Sequence, residues 1–316
     1  MVKIDLVSLG EIYAVVHPEE EGIYNETTRF RLLINCSTLN VAIAARRLNC
    51  VSSIAGSIGD DVIGSFIVNV LRKESVMTDW LKVKKLRTTI AFSIRDRYGE
   101  KLLFYRKPHT KTADTELTLK DLNVDEVVSS VKTLYVSGFS ICKPPLKDTV
   151  FYVMKHAFKE YVSTVFSTTS LKIQDKLCEE FVRFFSRYFK YASILYSRIN
   201  ELEHIFKSRN YKFIAGKLME KYPQLRYVII NYDRGVYVRS RDIELDREFS
   251  KLEIVDPSGA VDAWISSFTV FHLIKGMSLE KTIKLSNISF KIACSRHGVL
   301  NALPQIHELE KYVSKE

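Results

Sequence analysis

Short apolar runs alternate with longer stretches whose apolar positions recur at helical spacing. Val2 to Leu9 is expected to form a first strand. From Asn40 to Leu48, residues Val41, Ala44, Ala45 and Leu48 recur every three or four positions, which predicts a helix. Val51 to Ala55 is expected as a short strand. Val62 to Leu71 is expected as a helix, with Val62, Phe66, Ile67, Val70 and Leu71 on one face. Leu134 to Gly138, Ser163 to Ser167, Ser193 to Ser197 and Tyr227 to Ile230 suit strands buried in a parallel sheet. Helical segments near 147–158, 174–190, 201–207 and 214–221 separate them. The alternation predicts an α/β fold with a mostly parallel central sheet and helices on both faces. No internal repeat or low-complexity linker divides the chain, so residues 1–316 are expected to form one domain.

Two segments break the alternation. Residues 12–34 and 88–107 read as extended strands and turns. Arg97-Tyr98-Gly99-Glu100 has the composition of a hairpin turn between Ile90–Arg95 and Lys101–Arg106. Such excursions form a lid, an oligomer contact or a plain surface ribbon.

Composition narrows the class. The chain is 46% hydrophobic and 27% charged, which supports an ordinary folded core. No window reaches the roughly 18 uncharged apolar residues needed to cross a bilayer. The N-terminal Met1-Val2-Lys3-Ile4-Asp5-Leu6 lacks the apolar core of a signal peptide. The 5 cysteines are scattered with no CxxC pair, which argues against a disulfide framework or a structural zinc site. A cytoplasmic location is expected. The formal net charge of +10 could serve nucleic acid, but the lysines and arginines are spread along the chain rather than gathered in blocks. A solvated basic surface, or attraction to an anionic substrate, fits that spacing better.

Candidate chemistry concentrates at "VDPSGAVDAW", Val255 to Trp264. A strand-like run ends there and an apolar helix, Ala263 to Lys275, is expected to follow. Small residues at a helix N-terminus let backbone N–H groups approach an anion, and the helix dipole favours negative charge. Asp262 either caps that helix or serves as a base beside the anion.

The stretch "DPSGAVDAWISSFTVFHLIKG" resembles the C-terminal signature of the ribokinase-like (PfkB) carbohydrate kinases, usually DTTGAGDAF and an apolar helix. Further matches follow in order. Leu9-Gly10-Glu11 looks like the opening strand and turn. Asn40 and Ala42, then Gly59, Asp61 and Gly64, fall where the pattern wants them. "NELE", Asn200 to Glu203, is similar to the NxxE element. "INYDRGVYV" resembles the strand-turn-strand that carries TxGxxG, and "HGVLNALP" the segment closing the nucleotide pocket. "LLFYRK", Leu102 to Lys107, resembles the lid strand of 2-keto-3-deoxygluconate kinases.

The resemblance implies a ribokinase-like three-layer α/β/α fold with a small β lid. It implies an ATP-dependent phosphotransferase acting on a hydroxyl of a sugar, sugar acid or nucleoside, with ATP and Mg²⁺ as cofactors. Asp262 would be the catalytic base. The N–H groups of Gly259, Ala260 and Val261 would form the anion hole. Asn200, Glu203, Tyr232, Gly235 and Asp256 would serve the nucleotide side, with Asn200 and Glu203 organising Mg²⁺ through water. Asn35, Asn40, Phe104 and Arg106 would face the substrate, an arginine suiting a carboxylate. The lid segments would pair two copies into a homodimer. No nucleic-acid or membrane partner is expected.

The chain also departs from the pattern. Asn35 and Cys36 stand where the family usually has two glycines. Phe166 to Leu171 lacks the acid, amide and arginine of a DxNxR element. Ile230 and Tyr232 replace the threonine and first glycine of TxGxxG, and Val261 replaces the second glycine of GAGD. If position 261 needs a positive φ, a valine costs on the order of 1–3 kcal/mol; if it is helical, a few tenths. These departures leave open an alternative: a catalytically impaired relative that keeps the fold for ligand binding or interaction.

Overall fold

The computed structural model describes residues 3–19, 29–96, 99–105, 110–168, 185–249 and 254–313. The chain opens with β1 (Ile4–Leu9), whose apolar residues are buried on both sides. It then leaves the body as β2 (Tyr13–Pro18) and β3 (Phe30–Ile34) and returns through α1 (Ser37–Arg47). Next come β4 (Ser52–Gly59), α2 (Val62–Lys73) and β5 (Met77–Lys84). A second excursion forms β6 (Thr89–Asp96) and β7 (Gly99–Phe104). The body resumes with α3 (Val124–Ser129), β8 (Val131–Ser137), α4 (Leu146–Lys159), β9 (Ser163–Ser167) and β10 (Ile194–Arg198). It continues with α5 (Ile199–Phe206), α6 (Tyr211–Lys221), β11 (Tyr227–Tyr232), β12 (Gly235–Arg239) and β13 (Glu244–Glu248). It ends with α7 (Ala260–Phe268), α8 (Leu279–Cys294), α9 (Val299–Ala302) and α10 (Ile306–Val313).

The body is one sheet in the order β13-β12-β11-β10-β9-β8-β1-β4-β5. Every neighbouring pair from β11 to β5 is parallel; β12 and β13 add an antiparallel edge. Alternate side chains of β8, β10, β11 and β12 enter different cores. Leu134, Val136, Leu195, Val228, Ile230 and Tyr237 pack with α3 to α6. Tyr135, Tyr196, Ile229, Val236 and Val238 pack with α1, α7, α8 and α10. That gives the expected three layers.

The two excursions form the expected lid, a separate sheet in the order β3-β2-β6-β7. The β6–β7 pair is antiparallel, as expected of a hairpin, but Gly99 and Glu100, expected in the turn, belong to β7 and pair with Asp96 and Arg95. A third core holds the lid on the body; Tyr13, Ala14, Val15 and Ala91 meet Ile34, Leu39, Ala260 and Val299 there. Asp61 fastens its base. Its carboxylate caps α2 by accepting from Gly64 N–H at 2.8 Å and also accepts from Thr88 N–H at 2.7 Å.

The structure corrects two boundaries. The strand expected at Val51 to Ala55 runs on to Gly59, fully buried. The added Gly-Ser-Ile-Gly carries little strand signal, but a Cβ at Gly56 would meet Gly10 O at 2.8 Å. The helix expected from Ala263 starts at Ala260, so Asp262 lies inside its first turn. The helix expected at 174–190 falls mostly outside the described residues. No described helix is long and apolar enough to cross a membrane.

Candidate active site

The loop before α7 is held by Asp256. Its carboxylate accepts from Ser258 N–H and from Gly298 N–H, each at 2.9 Å. Burial opposes its charge, but those N–H groups prevail and hold the carboxyl below its ordinary range. Gly259 caps α7 in the left-handed region, at φ 77°. A Cβ there would also sit 2.9 Å from Val299 Cγ1. The positive φ therefore falls at Gly259, and Val261 lies within the helix, where a branched side chain is tolerated.

Of the three N–H groups expected to form the anion hole, that of Ala260 donates to Pro257 O at 3.2 Å. Those of Gly259 and Val261 have no backbone acceptor among the described residues, as the first turn of a helix leaves them. Asp262 N–H is likewise open.

Asp262 is buried beneath this turn. One carboxylate oxygen accepts from Ser37 Oγ; the other accepts from Asn40 Nδ2 at 2.7 Å. Ser37 Oγ lies 2.6 Å from the Tyr135 hydroxyl, which extends the chain of hydrogen bonds into the sheet. Burial raises the Asp262 carboxyl above its usual range, while Ser37, Asn40 and the Arg198 charge pull it back. A capping aspartate accepts from its own helix; this one faces α1, so capping does not describe it. Asn40 Nδ2 also reaches Asn35 Oδ1 at 3.3 Å. Cys36 fills the other lost glycine position without crowding the crevice. It is the extended N-cap of α1, with its thiol buried in the lid core and its pKa pushed up by burial.

Two carboxylates here escaped the sequence reading. Glu11, at the carboxyl end of β1, is buried against Ser137 and Ser140, both of which donate to it. Burial pushes its pKa up to about 7. The preceding Gly10 is required by close packing, because a Cβ would collide with Ser140 Oγ. Glu201 accepts from Thr168 Oγ1 at 2.6 Å and from Arg198 N–H at 3.1 Å, closing the start of α5. The one available signal was position: each acid lies two or three residues past the end of a strand.

Of the residues expected on the nucleotide side, Asn200 and Glu203 both sit on α5. Glu203 Oε2 is 3.2 Å from Arg209 Nη1, yet it is buried and accepts no hydrogen bond. The Tyr232 ring stacks on Tyr211 at 4.5 Å, and its hydroxyl donates to Asp246 at 2.6 Å. Gly235 is held by close approach: a Cβ would lie 2.8 Å from Glu248 Cα. Ile199, Arg209, Tyr211, Tyr232, Asp233 and Arg234 line a cavity of about 400 Å³ here. From the lid, Phe104 stacks on Phe139 at 5.0 Å and meets Tyr13 edge-on at 5.1 Å. Arg106 lies outside the described residues. Among the described residues, no group of three or more His, Cys, Asp or Glu could hold a metal ion unaided.

A family model described as pfkB family carbohydrate kinase matches residues 3–306. A 5-dehydro-2-deoxygluconokinase of Bacillus cereus is 24% identical over 319 residues, covering 98% of this chain and 94% of that protein. Among solved structures, the 2-dehydro-3-deoxygluconokinase of Thermotoga maritima superposes with a TM-score of 0.87 at 18% identity, covering 98% and 99% of the two chains. A sugar kinase of Pyrococcus horikoshii in complex with ATP gives 0.82 at 23% identity, covering 97% of each chain.

Proposed function

The chain belongs to the pfkB family of carbohydrate kinases and is an ATP-dependent phosphotransferase; on that premise we propose that Asp262 is its base and a sugar acid its acceptor. The observation that carries the assignment is the Asp262 corner. A buried carboxylate, gripped by Ser37 and Asn40, lies in the first turn of a helix whose Gly259 and Val261 N–H groups have no backbone acceptor among the described residues.

The two parts act together. Asp262 takes the proton of the attacking hydroxyl, and Ser37 and Asn40 fix the direction in which its lone pairs point. Burial raises its basicity, which suits a base more than an ion-pair partner. The open N–H groups of Gly259 and Val261 receive the phosphoryl oxygens, where charge accumulates. Such donors, fixed before reaction, are worth more in a site closed from water by a lid.

The residues present also fit a magnesium ion carried in with the nucleotide. Mg²⁺ keeps several waters and takes phosphate oxygens, so it needs no protein cage. Glu203 Oε2, buried without a hydrogen-bond donor, and the Asn200 side chain would hold it through water. When bound, Mg²⁺ neutralises charge that builds on the phosphates.

The sugar-acid assignment draws on the Bacillus cereus relative and on the net charge of +10. Leu103 on β7 and Tyr105 just past its end, 53% and 80% exposed, support pairing of two lids. A cytoplasmic site suits Cys36, Cys50 and Cys294, buried thiols outside any disulfide.

Incubation with Mg-ATP and a panel of keto-deoxy sugar acids, sugars and nucleosides tests the reading through ADP release. Turnover on a sugar acid, lost in Asp262→Asn, is expected. No turnover on any acceptor, with no nucleotide-induced rise in Tm, would favour the impaired-relative alternative instead.

A further inference from the structure

A line of buried hydroxyls runs from the sheet to the Asp262 carboxylate. Ser37, the first residue of α1, gives its one hydroxyl hydrogen to Asp262 Oδ1, because an ionised carboxylate can only accept. Ser37 Oγ therefore accepts from the Tyr135 hydroxyl, 2.6 Å away. With that hydrogen committed, the phenol oxygen can itself only accept, and the Ser167 hydroxyl is the donor that reaches it. Ser167 stands two residues past Val165, the partner of Tyr135 on the parallel strand, and so shares its face of the sheet. The direction is thus fixed at every link: Ser167 to Tyr135 to Ser37 to Asp262.

This line differs from ordinary core packing. Ser37, Tyr135 and Ser167 are all buried, so water does not compete for any link. Hydrogen bonds in a dry chain polarise one another, and each further donor strengthens the last bond, the one to Asp262. The line crosses β9, β8, α1 and α7, which ties the carboxylate to the rigid sheet as well as to the neighbouring helix. Packing at position 135 needs only the ring. The hydroxyl of Tyr196, buried in the same core, has no hydrogen-bond partner among the described residues, whereas that of Tyr135 meets the residue that holds Asp262.

We propose that Tyr135 is a positioning residue for the phosphoryl transfer: its phenol, backed by Ser167, locks Ser37 as a donor to Asp262 and so sets the direction and basicity of that carboxylate. The inference rests on the kinase reading above. Tyr135 touches neither substrate; it acts through Ser37. Other groups share the surroundings of Asp262. The Arg198 charge, from the end of β10, draws its carboxyl down, while the Cys36 thiol and the Tyr135 and Tyr196 phenols are held neutral, chiefly by burial. Glu11 acts on the same thiol and on the Tyr135 phenol. All but Tyr135 stay in place when its hydroxyl is removed.

The test compares wild type with Tyr135→Phe, Ser37→Ala, the double variant and Ser167→Ala. Tyr188→Phe is the control: it removes another buried phenol hydroxyl, bonded to Lys147 O at 3.2 Å in the core on the other face of the sheet. One readout needs no turnover, the carboxyl titration of Asp262 by ¹³C NMR of aspartate-labelled protein, with Asp262→Asn assigning the resonance. The other is the pH profile of kcat with the sugar acid. Tyr135→Phe should raise the Asp262 pKa by about 0.5–1 pH unit, move the acidic limb of kcat with it and lower the plateau about tenfold. Acceptor KM and the nucleotide-induced rise in Tm should stay as in wild type. Ser37→Ala should do more, the double variant no more than Ser37→Ala, and Ser167→Ala the same as Tyr135→Phe in a weaker degree. Tyr188→Phe should match wild type. A Tyr135→Phe protein with the wild-type titration and kcat would overturn the proposal. So would losses from Tyr135→Phe and Ser37→Ala that add in the double variant, since Tyr135 would then act by another route. A shifted Asp262 titration in a protein that phosphorylates no acceptor would uphold the hydroxyl line and defeat the kinase reading.

Discussion

Two places along the carboxyl edge of the sheet lost family glycines, and the losses mean different things. At the start of α7 the GAGD glycine became Val261; at the β11–β12 turn the first TxGxxG glycine became Tyr232. In the corner, the backbone demand falls on Gly259, and Val261 occupies an ordinary helical position. At the turn, the new ring is carried away to Tyr211 and Asp246, and close packing falls on Gly235. A missing glycine matters only where φ is positive or backbone approaches backbone. The corner keeps its geometry with its one strained residue intact, whereas the turn has exchanged an open surface for an aromatic wall.

The largest expected effect separates the two places by chemistry. Asp262→Asn keeps the shape and the bond to Ser37 but removes the base. It should lower kcat about 10³-fold, measured by ADP release, with little change in Tm. A loss under tenfold would move the base elsewhere and dissolve the contrast.

The next effect concerns the second buried acid of the corner. The Glu11 pKa of about 7 in the folded chain lies above its ordinary 4.5. The protonated form therefore favours folding, and that contribution is complete below about pH 4.5 and lost as pH rises through 7. A change of this size corresponds to about 3 kcal/mol. Glu11→Gln, neutral at every pH, should gain stability over wild type by about that amount between pH 4 and pH 8.5, read by urea unfolding. A pH-independent difference would mean that the buried carboxyl keeps its ordinary pKa.

A smaller effect tests the glycine rule directly. Gly259→Ala places a Cβ at φ 77° and 2.9 Å from Val299 Cγ1. It should cost about 1–2 kcal/mol in urea unfolding and also lower kcat, since the open N–H groups tilt with the turn. Unchanged stability would show that the turn relaxes freely.

The same contrast marks what the sequence made legible. The sheet, the lid hairpin and the Asp262 stretch were readable because each is local: a run, a turn, a motif. β4 was read too short because Gly56 and Gly59 serve close packing rather than strand propensity. The β5 strand, at a sheet edge with Asp79 exposed and Lys82 and Lys84 half-buried, lacks the apolar run of its inner neighbours. Ser37 was invisible as the partner of Asp262 because 225 residues separate them. Glu11 and Glu201 were missed for the same reason: their roles come from hydroxyls of Ser137 and Thr168, 126 and 33 residues away along the chain.

The smallest effect is the most instructive. Val261→Gly restores the family residue, and from sequence alone it ought to restore activity. The helix says otherwise. Position 261 is the second residue of α7, where glycine is less favourable than valine by a few tenths of a kcal/mol. The valine side chain is half-buried against the core beneath α7, so glycine also loses packing. The N–H proposed to face the phosphoryl is the same in both. Val261→Gly should therefore lose about 0.5–1 kcal/mol in urea unfolding and leave kcat within about threefold. A tenfold rise in kcat would instead place the isopropyl group in the path of the phosphate, and the corner would join the turn as a surface that substitution has narrowed.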